Sequence, residues 1–214
     1  MTLCAKAKKR LNAVVISMFS QRIHMSTKNI QLFSKRGQIL TKNGIRALAL
    51  LAWNPGKSFS VREVSKELGI SPGSASTMLN RLKSKGLVTT EVRGRLLLCS
   101  IDLENPIARQ LKVLLSLDTL GDLVGSLKPF AKKIILFGSA ARGLDTEESD
   151  IDVFVLTTDM AKAKEAISQA RNSISRKLSP VIVDTTGYSR LKREDKPFYD
   201  SINSGITLWD SNGL

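Results

Sequence analysis

The chain of 214 residues is long enough for one large domain or two small ones, and its hydrophobic content of 42% is enough to form real cores. No apolar run approaches the length of a membrane span, and the two cysteines, Cys4 and Cys99, fit no metal-binding spacing, so we expect a reduced, cytoplasmic protein that does not enter a membrane. The net charge of +14 belongs to the N-terminal half: residues 1–62 contain twelve Lys or Arg and no Asp or Glu, whereas residues 128–214 contain thirteen basic and twelve acidic residues. This asymmetry predicts a polyanion-binding half followed by a near-neutral half, although a basic excess also serves solubility.

Residues 1–40 form a basic extension. Its first part places a cluster of Lys and Arg ahead of the apolar run AVVISMF, which loosely imitates a secretory signal. We favour a disordered extension, or a translation start at Met25, over a targeting signal. His24, the only histidine, lies in this stretch without partner ligands, so we expect no catalytic role for it.

Residues 41–103 carry the pattern of a small helical domain with a β-hairpin. Apolar residues at helical spacing predict a first helix over Asn43–Trp53. The sequence Ser60-Val61-Arg62-Glu63 is a capping box that begins a second helix, and Ser71-Pro72 begins a third, which runs to about Lys85. Two strands then follow, Leu87–Val92 and Arg95–Ile101, joined by Arg93-Gly94.

This order of elements resembles a winged helix-turn-helix domain, and the stretch ISPGSASTMLNRLKSKGLV resembles the recognition helix of MarR-like transcription regulators. The resemblance implies that the third helix lies in a DNA major groove and that the hairpin, or wing, reaches the backbone or the minor groove. The polar face of the third helix carries no acid, and its short side chains can contact base edges or phosphates. The residues that we expect to contact DNA are Ser74, Ser76, Thr77, Asn80, Arg81, Lys83, Arg93 and Arg95. Protein docking or dimerisation is the alternative role of such a domain.

Residues 104–128 are predicted to form a linker helix. Asn105-Pro106 begins it, and Ile107, Leu111, Leu114 and Leu115 lie on one face, with Asp118 or Thr119 capping a short continuation to Leu127. The leucine stripe either bridges two domains or joins two chains in a homodimer, and the sequence does not decide between these.

Residues 129–214 contain the motif that carries chemistry. Two short apolar runs, Ile134–Phe137 and Ile151–Leu156, are typical of buried strands. Asp150 and Asp152 open the second strand and project on the same face, where two carboxylates repel each other unless a cation such as Mg²⁺ lies between them. Gly138-Ser139 follows the first strand and precedes a short helix, an arrangement that holds phosphates.

This segment resembles the signature of the nucleotidyltransferase superfamily with the polymerase-β-like fold, most closely its minimal branch. The resemblance implies a mixed sheet with helices on one side, two Mg²⁺ ions held by carboxylates, and transfer of a nucleoside monophosphate from an NTP to an acceptor. The matching residues are Gly138, Ser139, Asp150 and Asp152, with Arg142 as a phosphate contact.

The remaining elements are a helix from Met160 to about Lys177, a third strand at Val181–Asp184 parallel to the second, a helix over Lys196–Ser204 and a terminal strand at Ile206–Trp209. The family pattern places a third carboxylate on the strand after the long helix. Asp184 is the only acid there, and it serves either as a third metal ligand or as the cap of the following helix.

We therefore expect an α+β protein of two domains, a winged helix followed by a nucleotidyltransferase α/β domain with a mixed sheet. The expected function is Mg²⁺-dependent nucleotidyl transfer from an NTP by a cytoplasmic protein that binds DNA. The rival is a DNA-binding regulator, or an antitoxin-like partner, whose transferase domain is inactive or senses nucleotides.

Overall fold

The structure of the protein is a computed structural model that describes residues 41–146, 148–174 and 176–213. The basic extension predicted for residues 1–40, with its alternative start at Met25, lies outside the described residues. Within the described ranges, no helix combines the length and the apolar character that crossing a bilayer requires.

The first elements form the predicted winged helix. They are α1 (Lys42–Ala52), β1 (Phe59–Ser60), α2 (Val61–Leu68), α3 (Pro72–Ser84), β2 (Val88–Arg93) and β3 (Leu96–Ile101). The capping box at the start of α2 is present, because the Ser60 side chain accepts from Glu63 N while the Glu63 carboxylate accepts from Ser60 N. Ser71 caps α3 with Pro72 in its first turn, as predicted. Leu51, Val64, Leu79 and Leu87 are among the buried side chains that hold the three helices together.

The wing is an antiparallel hairpin, with the short strand β1 added to it in the order β1-β3-β2. Arg93 pairs with Leu96, so the turn residues are Gly94 and Arg95 rather than the predicted Arg93 and Gly94. Gly94 has a φ of +60°, and a two-residue hairpin loop needs such a residue at its first central position.

The linker consists of two helices, α4 (Pro106–Thr119) and α5 (Gly121–Leu127). The prediction that Asp118 or Thr119 caps the second helix is wrong, since Leu120 occupies the N-cap and no side-chain bond closes it. The chain passes almost directly from one helix into the next, because Leu120 N donates to Ser116 O and Leu120 O accepts from Val124 N.

The predicted leucine stripe of α4 is not a single buried face. Leu115 is buried and Leu111 half-buried, whereas Ile107 and Leu114 are exposed. Leu120 and the apolar residues of α5 lie in the core of the C-terminal sheet.

The C-terminal region is built on the predicted mixed sheet. Its elements are β4 (Ala131–Phe137), α6 (Gly138–Arg142), β5 (Ile151–Thr157), α7 (Met160–Ala170), β6 (Leu178–Val183), α8 (Thr185–Glu194), α9 (Lys196–Asn203) and β7 (Ile206–Asp210). The strand order is β6-β5-β4-β7; β5 and β6 are parallel, and the other pairs are antiparallel.

Each face of this sheet has its own apolar cluster. Ile134, Val153 and Val155 pack with residues of α5 and α7 on one face. Ile135, Phe137 and Phe154 pack with residues of α8 and α9 on the other face. Helices therefore cover both faces, so the expectation of helices on one side is wrong, and alternate residues of β5 belong to different layers.

Helix α7 is shorter than predicted and ends at Ala170 instead of Lys177. A turn follows, in which the Ser173 hydroxyl donates to Ala170 O and so competes with a helical continuation. Ile174 is nevertheless buried, which explains why the apolar pattern suggested a longer helix.

Candidate nucleotide site and nucleic-acid surface

Asp152 lies against the turn that follows β4. It is the second residue of β5 and pairs with Phe137, the last residue of β4. Gly138 comes next with a φ of +72°, and a Cβ built on it would lie 2.2 Å from Oδ2 of Asp152. The carboxylate thus occupies the space that a side chain at position 138 would need. The strand register brings the predicted carboxylate and the predicted Gly-Ser turn into direct contact.

The surroundings of Asp152 make its charged form less favourable than it is in water. Burial raises the pKa of Asp152 above its ordinary value, a hydrogen bond from the Ser179 hydroxyl acts in the opposite direction, and the charge of Asp150 adds to the rise. Ser179 is the residue directly opposite Asp152 on the parallel strand β6. A cation beside the two carboxylates would relieve this unfavourable charge, and that is the behaviour expected of a metal site.

Asp150 is held by Lys177. Lys177 Nζ lies 2.7 Å from Oδ2 of Asp150, and the side chain of this lysine is 79% exposed. The main chains also meet, because Ile151 N donates to Lys177 O at 2.8 Å. An exposed ion pair contributes little free energy, so a bound cation could displace the ammonium group at small cost.

Gly138 and Ser139 begin the five-residue helix α6, and Arg142 ends it. No side chain caps the first turn of α6, which leaves its N–H groups available to phosphate oxygens. Ser139 is half-buried and Arg142 is exposed. Arg142 is about one helical turn from Gly138, so its guanidinium can reach back over this turn.

The structure does not bring Asp184 to the carboxylate pair. Asp184 follows β6 at the end remote from Ser179, about 16 Å further along the strand. Ile182 packs with the apolar cluster on the sheet face that α5 and α7 cover. Asp184 comes two residues later, so it has the same parity along the chain as Ile182. The alternative prediction is confirmed, since Asp184 is the N-cap of α8 and its Oδ1 accepts from Gly187 N at 2.6 Å.

Asp150 and Asp152 are therefore the two carboxylates at this turn that could hold a metal ion. The part of the chain that the structure describes contains no group of three or more His, Cys, Asp or Glu arranged to hold a metal ion. Hard carboxylate oxygens beside a phosphate-holding turn suit one Mg²⁺ ion that completes its shell with triphosphate oxygens and water. A second ion would need ligands beyond Asp150 and Asp152.

The predicted nucleic-acid surface is displayed on α3 and the wing. Ser74, Thr77, Asn80, Arg81 and Lys83 are exposed, and the helix carries no acid. Of the other predicted contacts, Ser76 is half-buried, while Arg93 and Arg95 are exposed on the wing.

Ser74 and Arg93 have side-chain partners that belong to the winged helix itself. The Ser74 hydroxyl accepts from the Ser71 hydroxyl, and Arg93 pairs with Glu91 at 3.0 Å. The exposed side chains of α3 and the wing together form a basic and polar surface of the kind that follows a DNA backbone.

Sequence reasoning missed Ser179 and Lys177, which contact the two carboxylates. Ser179 could be found only from the register of β6 against β5, because Ser-Pro pairs are common and carry no chemical signature. Lys177 lay at the end of the helix predicted to run from Met160, and a lysine there was expected to face solvent.

Two protein families match different parts of the chain. Residues 117–203 match the nucleotidyltransferase domain family, and residues 40–95 match the MarR family. The predicted fusion of a MarR-type winged helix with a nucleotidyltransferase domain is thus confirmed, in the predicted order. The first of these matches begins within α4, in agreement with the packing of α5 into the C-terminal core. No curated protein matches the chain.

Several solved winged-helix structures are similar to part of the chain. Rv0081 of Mycobacterium tuberculosis is 23% identical, with 41% of this chain and 82% of that chain covered and a TM-score of 0.32. FabT of Streptococcus pneumoniae, solved in complex with DNA, is 17% identical, with 55% and 81% covered and a TM-score of 0.38. The homodimeric DNA-binding domain of Mb0332 from Mycobacterium bovis is 21% identical, with 46% and 92% covered and a TM-score of 0.34. With TM-scores this low, the similarity defines nothing further about this chain.

Proposed function

We propose that the protein transfers a nucleoside monophosphate from a magnesium-bound NTP to an acceptor hydroxyl, and that its winged helix binds DNA. The observation that carries the proposal is the contact between Asp152 and the Gly138 turn. It unites a pair of carboxylates with a phosphate-holding backbone, and a metal-bound triphosphate needs both. The presence of a nucleotidyltransferase domain supports the same class of reaction. Because NTPs and DNA are the proposed ligands, we infer a cytoplasmic location.

Each predicted residue has a role in this proposal. Asp150 and Asp152 hold the metal, Gly138 and Ser139 hold the triphosphate, and Arg142 contacts a phosphate oxygen. Mg²⁺, when bound, would orient the α-phosphate and shield the charge of the leaving group. The acceptor oxygen forms a bond to the α-phosphorus, the bond to the β-phosphate oxygen breaks, pyrophosphate leaves, and the acceptor proton passes to solvent.

Transfer of label from α-labelled ATP, GTP, CTP and UTP tests the reaction. The acceptors are tRNA, DNA and total cell protein, and the loss variant is Asp150→Ala/Asp152→Ala. Asp200→Ala is the matched control, since it removes an exposed carboxylate from α9. Label that moves with the wild type and the control but not with the double variant supports an enzyme. Absence of transfer from all four nucleotides to all acceptors contradicts the proposal.

DNA binding is tested separately with Arg81→Ala and a salt series. Removing one phosphate contact should weaken binding across sequences and reduce the slope of log affinity against log salt by about 1. Lys164→Ala is the control, because Lys164 is an exposed cation on α7, outside the winged helix. An equal effect of the two variants, or affinity independent of salt, would contradict a phosphate-facing α3.

A second candidate is a DNA-binding regulator whose C-terminal domain senses nucleotides without turnover. The observation that favours it is the residue opposite Asp152, which is Ser179 and not a carboxylate, while Asp184 caps a helix elsewhere. Binding of magnesium nucleotides that changes DNA affinity, without release of pyrophosphate, would support this candidate over the enzyme.

A further inference from the structure

Helix α4 is attached to the C-terminal end of the DNA-facing helix α3. Asn105 is the N-cap of α4, and its Oδ1 accepts from Ile107 N at 2.9 Å. The amide nitrogen of the same side chain donates to Gly86 O at 2.9 Å and to the main-chain oxygen of Lys85, the C-cap of α3, at 3.4 Å. One side chain therefore starts α4 and closes the end of α3.

Further along, α4 lies against the turn that ends α6. Gly143 has a φ of +66°, and a Cβ built there would lie 2.2 Å from the carbonyl oxygen of Arg109 on α4. The main chains of Gly143 and Arg109 are in direct contact here, and no side chain lies between them that could adjust if α4 moved. A shift of α4 must consequently move the segment that leads from α6 to the carboxylate pair.

The contact continues through a group of three charges, of which Lys112 and Asp145 are buried and Arg176 has 14% of its side chain exposed. Lys112 of α4 and Asp145 each have 2% of their side chain exposed, and Lys112 Nζ lies 3.1 Å from Oδ1 of Asp145. The Lys112 ammonium group also donates a hydrogen bond to the main-chain oxygen of Asp145. Oδ1 of Asp145 accepts no hydrogen bond, so its interaction with Lys112 is an ion pair only. Arg176 completes the group, with Nη1 donating to Oδ2 of Asp145 at 2.5 Å. We name these three residues the buried triad.

The buried triad reaches the candidate metal ligands through Arg176, and the next residue, Lys177, contacts Asp150 itself. Arg176 Nη2 donates to the main-chain oxygen of Ser149 at 2.8 Å, immediately before Asp150. Its neighbour Lys177 holds both the Asp150 carboxylate and the Ile151 N–H. Arg176 thus holds the main chain just before Asp150, while the exposed Lys177 ammonium group pairs with the Asp150 carboxylate.

Stability alone does not explain the buried triad. Charges removed from water carry a desolvation cost, and apolar residues of similar volume commonly give equal or greater stability in such positions. Burial lowers the pKa of Lys112 in spite of the attraction of Asp145, which shows that desolvation disfavours the charged form of this lysine. What the charges supply, and apolar contacts would not, is a directional attachment of α4 to the chain before Asp150.

We propose that the buried triad positions Asp150 and that, because α4 also closes the end of α3, it makes the nucleotide site respond to DNA bound at the winged helix. The proposal rests on the proposed function, since it assigns a regulation to the same site. Lys112, Asp145 and Arg176 are positioning residues that act through the main chain at Ser149 and Asp150. By thermodynamic reciprocity, nucleotide binding would change DNA affinity by the same factor.

Lys112→Met removes the ion pair and the hydrogen bond between α4 and Asp145 while leaving the other contacts of Asp145 in place. It leaves Asp145 paired with Arg176, so no buried charge loses its last partner. Lys164→Met is the matched control on the exposed surface of α7. Asn105→Ser is a second variant, because serine still caps α4 but is too short to reach Gly86 O. It keeps the proposal testable should Lys112→Met not fold.

Two readouts are taken with and without a random-sequence 40-base-pair duplex at low salt. The first is amide hydrogen exchange at Ile151 and Asp152, which needs no nucleotide. The second is the affinity for magnesium-bound α,β-methylene ATP, which cannot transfer its nucleotide. In the wild type and Lys164→Met we expect the duplex to change both by at least about fivefold, the lower end of ordinary coupling. In Lys112→Met and Asn105→Ser both effects should fall below about twofold, with DNA affinity alone unchanged.

The outcomes separate this proposal from the proposed function. A duplex that binds the wild type without changing exchange at Ile151, or that changes it equally in Lys112→Met, overturns the inference. Failure of the wild type to bind the nucleotide overturns the proposed function, while the exchange measurement still decides the role of the buried triad.

Discussion

Gly138 is the position where one methyl group would disturb the carboxylate pair most directly. Its backbone is left-handed, and a Cβ would lie 2.2 Å from Oδ2 and 3.1 Å from Cγ of Asp152. A left-handed backbone costs an L-residue about 1–2 kcal/mol. Relief of the overlap pushes the Asp152 side chain off its rotamer, which adds about 1 kcal/mol. We therefore expect Gly138→Ala to lower the free energy of unfolding by about 2–3 kcal/mol.

Gly69→Ala is the control for the backbone part of this loss. Gly69 has a φ of +66°, and nothing lies within 4 Å of a Cβ built on it. The control should lose only about 1–2 kcal/mol in urea unfolding, so the difference between the variants isolates the contact with Asp152. Equal losses would show that Asp152 does not occupy the space beside position 138.

The same two variants test the proposed site. Displacing Asp152 should weaken binding of magnesium-bound α,β-methylene ATP by at least about tenfold, the size of effect seen when a metal ligand loses its orientation. Gly69→Ala, whose position lies in the winged helix between α2 and α3, should bind as the wild type does. Calorimetric titration gives both affinities. Wild-type affinity in Gly138→Ala would refute the reasoning that places the nucleotide at this turn.

Three further variants test other features. Ser179→Asp puts a third carboxylate opposite Asp152, so this variant should bind Mn²⁺ more tightly than Ser179→Asn does, as followed by electron paramagnetic resonance. Equal Mn²⁺ affinity in the two variants would contradict the register of β6. Asp145→Asn removes the one anion of the buried triad and should lower the free energy of unfolding by about 3–5 kcal/mol in urea, whereas a loss below about 1 kcal/mol would contradict its burial. Burial, and then a hydrogen bond with Tyr199, raise the pKa of Tyr188 to about 12 from an ordinary value of 10. In Tyr199→Phe the remaining tyrosine should titrate between these values by ultraviolet absorbance, and an unchanged value of about 12 would contradict the contact.

The tyrosine also predicts how stability depends on pH. The unfolded chain releases the Tyr188 proton near pH 10, before the folded chain does, so the folded state holds more protons between pH 10 and about 12. The contribution of Tyr188 to the free energy of unfolding is therefore full below pH 10 and is lost as the pH rises through this window. Urea midpoints that fall equally in the wild type and Tyr188→Phe would contradict the assignment.

The features that the sequence predicted well are those encoded by neighbouring residues. The capping box of Ser60 and Glu63, the Ser71-Pro72 start of α3 and the wing all depend on contacts within a few positions. The Gly138-Ser139 turn and the strand of Asp152 were placed correctly for the same reason. Their meeting required only that two consecutive strands form an antiparallel pair.

The position of the third strand's residues could not be predicted in this way. Strand β6 presents apolar residues to both faces of the sheet, so no alternation shows which residue faces Asp152. The register of β6 depends on its pairing with β5, from which α7 and a turn separate it in the chain. Asp184 was predicted to lie near the site because it is the only acid on the predicted strand. The register instead sets Ser179 opposite Asp152.

The buried triad was missed for another reason. Lys112, Asp145 and Arg176 are far apart in the sequence, and each is a residue type that usually faces water. Lys112 even lies among the leucines of α4, where a lysine is expected to extend its charge into solvent. Only the tertiary fold brings the three charges together, and a single sequence contains no local pattern that reports it.

The place of β7 in the sheet has a consequence for how the protein is made. The winged helix is assembled from neighbouring elements and can fold as soon as it leaves the ribosome, whereas β4 must wait for β7, which pairs with its second edge. Until then Ile134 and Leu136 border an open strand edge, and such an edge invites pairing with other chains. A nascent chain would accordingly complete its winged helix before its candidate nucleotide site forms. A chain cut short ahead of Ile206 would be prone to aggregate.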